Sequence, residues 1–188
     1  DYVVRWSNAP FLVRGDTGGL LLESDIVEGG SDKRFMVWDE KEDRLKYWDA
    51  EEIQWEGGPS GKAHYDHLVE LFEENKTSTE KSPAADLPDS IMPALFGEHE
   101  VELCTRGGKI TCIPAFQMLA NNVAEWTPEH TESITGVPAD QVERVATMIG
   151  TLKPVDINQG MQYMSTNVSQ YVNAINVLKI ITGSVDVA

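Results

Sequence analysis

Residues 126 to 183 are punctuated so strictly that few folds remain open to them. In "WTPEHTESITG", Thr127 stands where a helix N-cap belongs, Pro128 at the first helical position, Glu129 in the first turn and Gly136 at the end. "VPADQVERVATMIG" repeats the device with Pro138; Val142, Val145, Ala146 and Ile149 fall on one helical stripe, and Gly150 is expected to end it. After Pro154, Val155 and Ile157 alternate with polar neighbours as in a short strand, which stops at the bare backbone of Gly160. A last helix places Val168, Val172, Ile175 and Leu178 on one face, and Gly183 closes it. Helix, helix, strand, glycine turn, helix predicts an α/β unit with residues 155–158 central and buried between the helices near 138–150 and 167–182. In open α/β sheets a ligand sits where such a strand ends, against the N-terminus of the next helix.

The chain upstream is less regular. "RFMVWDEKEDRLKYWD" reads as a hairpin, with Phe35–Trp38 and Leu45–Trp48 around an acidic turn. "AHYDHLVELFEEN" predicts a helix carrying Tyr65, Leu68, Val69 and Phe72 on one stripe. Residues 75–90 are rich in Ser, Thr, Pro and charge without periodicity, and read as a linker or a mobile surface loop. Cys104 and Cys112 flank Gly107-Gly108, the turn of a second hairpin, and are read as free thiols, although a bridge across the hairpin is conceivable if the register allows. Pro114 then opens a helix whose apolar positions are Phe116, Leu119, Ala120 and Val123. The division that results is 1–74, an irregular part with hairpin and helix; 75–90, the linker; and 91–188, the α/β segment.

Charge excludes two classes of partner. With 15 Lys+Arg against 31 Asp+Glu, the formal net charge is −16. Such a field repels nucleic-acid phosphates and anionic membrane surfaces. No apolar run approaches the roughly 18–20 residues of a membrane span, so no membrane insertion is expected. The chain starts at Asp1 without an initiator Met and stops soon after its last helix, which reads as an excised internal piece of a longer protein.

Candidate chemistry is sparse. His64 and His67, with Asp66 between them, resemble half a metal site, but a solvated helix face explains them as well. Trp38, Tyr47, Trp48 and Trp55 offer an aromatic surface suited to a sugar or protein partner, against which stands ordinary hairpin packing. Asn75-Lys76-Thr77 and Asn167-Val168-Ser169 fit the glycosylation triplet, a pattern frequent by chance. No phosphate loop, nucleophile elbow or catalytic carboxylate pair is present, and no metal ligand or catalytic group is assigned.

The order of these motifs resembles that of a known family. Trp126-Thr127-Pro128-Glu129, Ile134-Thr135-Gly136-Val137-Pro138-Ala139, a strand ending at Gly160, and Ile181-Thr182-Gly183 are similar in order and spacing to the molybdopterin-dependent oxidoreductases of the dimethyl sulfoxide reductase superfamily. "WSNAPFLVRGDTGG" near the front looks like the corresponding segment of a subgroup including acetylene hydratase, transhydroxylases and catechol dehydroxylase-like enzymes.

The resemblance implies a partial Rossmann-like domain preceded by an irregular part with a β-hairpin. It implies an internal fragment of a catalytic subunit, inactive alone and without cofactor of its own. In the full-length protein it implies bis(molybdopterin guanine dinucleotide) with molybdenum or tungsten, and a [4Fe–4S] centre in a part not present here. The expected partners are the remainder of the same chain and an iron–sulfur electron-transfer subunit. Gly160, Met161, Gln162 and Asn167 are the positions it places against the cofactor; Gln162 departs from the family, which often carries a second glycine there. The other reading of the residues is a non-catalytic acidic binding module using the aromatic hairpin.

Overall fold

A computed structural model describes residues 2–74, 87–104, 107–152, 155–157 and 168–184. They fall into two compact units, Asn8–Leu119 and Asp1–Ser7 with Ala120–Ala188.

The first unit is built on two antiparallel three-stranded sheets. β2 (Arg34–Asp39) and β3 (Arg44–Asp49) form the expected hairpin, with Phe35 opposite Trp48 and Trp38 opposite Leu45; β4 (Gln54–Trp55) extends it. The second sheet has the order β1 (Leu12–Arg14), β6 (Lys109–Pro114), β5 (His99–Glu102), so that Leu12 faces Pro114 and Val101 faces Ile110. Strand alternation puts Leu12, Met36, Val101 and Cys112 on inward faces, and with Leu21 and Leu103 they form the core. The short helix α2 (Glu23–Ile26) leans Ile26 on that core.

Buried polar groups brace this unit. Lys46 Nζ, almost fully buried, lies 2.9 Å from Asp39 Oδ2 and donates to the Ser90 carbonyl at 2.9 Å. Asp39, fully buried, also accepts the Met92 amide at 2.6 Å. Lys41 Nζ reaches the Asp89 carbonyl at 2.8 Å, and the Glu40 and Ala94 amides bond Met92 O and Trp38 O. Asp89 to Ala94 is thereby strapped to the end of β2.

Several expectations are corrected. Residues 75–86 of the expected linker lie outside the described residues, while Asp89 and Ser90 are bonded to the hairpin as above. The compact units do not part there: β5 and β6, assigned by sequence to the 91–188 segment, belong with the hairpin because β6 pairs with β1. In α3 (Lys62–Glu73), Tyr65 and Val69 of the expected stripe are exposed. Cys112 faces His99 rather than Cys104, so no bridge spans the hairpin and both thiols are free.

In the second unit, α5 (Pro128–Thr135) is capped as its sequence prescribes. The Thr127 hydroxyl accepts the His130 amide at 3.2 Å, and Gly136 ends the helix at φ 73°. α6 (Ala139–Thr151) runs through Gly150 instead of stopping there, because the glycine keeps helical geometry. It has no buried residue. α7 (Val168–Thr182) packs on α1 (Tyr2–Trp6), burying Ile175 and Thr182, while Tyr2 lies against Gly183. α4 (Ala115–Val123) follows directly on β6.

Residues 155–157, expected to begin a buried central strand, belong to no strand: Val155 and Ile157 are half-buried and Asp156 is exposed. A strand needs neighbours to satisfy its backbone, and among the described residues this unit holds no other strand.

Candidate functional site

Gly160, Met161, Gln162 and Asn167 all lie outside the described residues. What is described is the frame on either side of them. Before them, the Val155 amide donates to Ser184 Oγ at 3.3 Å and Asp156 pairs with Lys179 Nζ at 3.2 Å, fixing residues 155–156 against the last turn of α7. After them, α7 begins at Val168 with no acidic residue in its first turn, whereas α5 and α6 open with Glu129 and Asp140. A helix N-terminus carries partial positive charge and unpaired amides, and an acid there would fill the place of an anionic ligand.

The sequence of residues 158–167 extends this chemistry. From Ile157 to Leu178 the chain carries no Asp, Glu, Lys or Arg, although it has 15 basic and 31 acidic residues overall. The stretch is instead rich in side-chain amides, including Asn158, Gln159, Gln162 and Asn167. Neutral amides both donate and accept hydrogen bonds. They suit a ligand with phosphates and a heterocycle edge, which carboxylates would repel. This charge-free run was the sequence signal available for the site beyond the glycine itself.

The other candidate side chains have these surroundings. No group of three or more His, Cys, Asp or Glu that could hold a metal exists among the described residues. His67 lies 3.9 Å from Glu70, and His64 Nε2 is buried without a hydrogen-bond partner. The aromatic hairpin is spent on packing: Trp38 stacks on His99, Trp48 meets Trp55 edge-on at 5.3 Å, and the Arg34 guanidinium sits 4.5 Å above the Tyr47 ring. Burial pushes the Cys112 thiol up to about 11, too high for a nucleophile at neutral pH.

No family model matches the chain. Individual relatives do. A dopamine dehydroxylase of Eggerthella lenta is 32% identical over 87% of this chain and 20% of its own length. The perchlorate reductase alpha subunit of Dechloromonas aromatica (strain RCB) is 34% identical over 77% of this chain and 15% of its own. A dimethyl sulfoxide reductase of Escherichia coli (strain K12) is 42% identical over 32% of this chain and 8% of its own. The chain belongs to the dimethyl sulfoxide reductase superfamily of molybdopterin-dependent oxidoreductases. It spans about one fifth of the length of the first of these relatives. The motifs on which the sequence resemblance rests map here onto helix caps and turns, Thr127, Pro128, Gly136 and Gly183 among them.

Proposed function

We propose that this chain is a segment of the catalytic subunit of a molybdenum or tungsten oxidoreductase and builds part of the cleft holding bis(molybdopterin guanine dinucleotide). The observation that carries the reading is likeness at 32% identity across 87% of the chain to a subunit about five times longer. The amide-rich, charge-free stretch is what the segment offers to that cleft. The bound metal centre supplies the electron transfer.

The chain's own residues bind and orient. Gly160 lets backbone approach the cofactor without a Cβ in the way. Gln162 and Asn167 give neutral donors and acceptors, and the α7 N-terminus favours negative charge beside them. The front segment, "WSNAPFLVRGDTGG", supports a kinship with the dehydroxylase-like members, and an iron–sulfur subunit is the proposed electron partner.

The test uses the subunit-length protein. Gly160→Val and Gln162→Ala are each purified and assayed for metal content and for pterin released on oxidation. Reduced occupancy with an unchanged urea midpoint is expected. A full complement of metal and pterin in both variants would refute the role given to the turn.

A further inference from the structure

Trp38 and His99 join the two sheets of the first unit. Their rings stack with centroids 4.6 Å apart and planes 16° from parallel. The loop between the strap and β5 is closed by this stack at one end and by the Ala94 amide on Trp38 O at the other. Gly97, at φ 112°, presses so close that a Cβ there would meet His99 Nε2 at 3.1 Å. That nitrogen is buried and has no hydrogen-bond partner. The loop carries Phe96, 54% exposed, edge-on to Phe116, and the Gly97 amide donates to Gln117 Oε1 at 2.7 Å.

We propose that the Ala94–His99 loop is a proton-released latch: neutral His99 stacked on Trp38 holds it shut, and protonation at the buried Nε2 frees the loop and Phe96. A neutral ring tolerates an unpartnered acceptor at Nε2; an N–H there must find an acceptor, and the nearest side is occupied by Gly97. Cation–π attraction to Trp38 offsets part of that cost. Burial lowers the His99 pKa, opposed by the Phe96 backbone and by Asp43 and Glu40. Those two acids favour the protonated ring without reversing the direction set by burial. Cys112, across the ladder from His99, stays neutral throughout, its thiol being raised to about 11. The proposal is independent of the cofactor reading.

Two measurements on this chain decide it. The four histidines are titrated by NMR, and amide exchange at residues 95–99 is followed over the same pH range after correction for intrinsic rates. Exchange of the loop is expected to rise about tenfold per pH unit below the His99 midpoint, in step with its protonation, while β2 and β3 amides hold. His99→Phe keeps a stacked ring that cannot titrate, and should abolish the rise. Loop exchange flat through the His99 titration would overturn the latch, as would a rise that persists in His99→Phe.

Discussion

Replacing Lys46 with Met should cost the first unit about 3 kcal/mol. Lys46 and Asp39 are 3% and 0% exposed and 2.9 Å apart. At an effective dielectric of about 20, that separation is worth roughly 6 kcal/mol of attraction, much of it offset by the desolvation of both ions. Removing one partner of a buried pair typically costs about 3–5 kcal/mol, because a lone charge remains. Asp39 keeps the Met92 amide at 2.6 Å and the Glu42 amide at 3.2 Å, which argues for the lower end. With a urea dependence of about 2 kcal/mol per M, the midpoint should fall by about 1.5 M. Ser90 loses its Lys46 bond, so amide exchange across the 89–94 strap should quicken as well. The double variant with Asp39→Asn should lose less than the sum of the two singles, since both changes remove one interaction. A loss below about 1 kcal/mol, the value of an exposed pair, would refute the reasoning.

Gly15→Ala should destabilise by about 1–3 kcal/mol by urea denaturation, because the added Cβ would lie 2.7 Å from the Thr111 carbonyl that the Gly15 amide bonds. Acid should weaken the first unit in two stages. His99 titrates lower folded than at its ordinary 6.5, so stability starts to fall below pH 6.5. For Asp39 and Asp49, burial raises the carboxyl pKa but hydrogen bonds from Lys46 and Arg34 respectively, with backbone amides, bring it below the ordinary 3.8. Their contribution is whole above pH 3.8 and lost as pH falls through the lower folded values; urea midpoints measured from pH 7 to 3 should show the steeper stage last.

Local order was legible in the sequence and distant pairing was not. The β2–β3 hairpin, the Thr127 cap and the helices α5 to α7 follow from patterns within a few residues. The second sheet does not, because Leu12 and Pro114 pair across about a hundred residues and nothing near either one encodes the other. Lys46 misleads in the same way: in "RLKYWD" alternation among large apolar neighbours makes it an outward residue, yet it is the buried one. Only Asp39, in the neighbouring strand, and the strap beyond make that burial tolerable. Gly150 reads as a stop, but helical geometry carries past it. At the candidate site the glycine turn and its amides were legible as chemistry. The strand meant to lead into it was not realised at 155–157, for want of a neighbouring strand among the described residues.

The residues that carry the family likeness and those proposed to meet the cofactor do different physical work, and substitution should separate them. Thr127 accepts the His130 amide and starts α5, far along the chain from residues 158–167. Thr127→Ala removes that cap and should cost about 1 kcal/mol of stability. In the subunit-length protein it should leave metal and pterin content unchanged once the sample is folded. Gly160→Val should do the reverse, lowering cofactor content at nearly constant stability. Caps and terminators such as Thr127, Pro128 and Gly136 answer only to backbone geometry. If Thr127→Ala emptied the cofactor site while its helix content, measured by circular dichroism, stayed intact, the cap would be more than punctuation and this division of labour would fail.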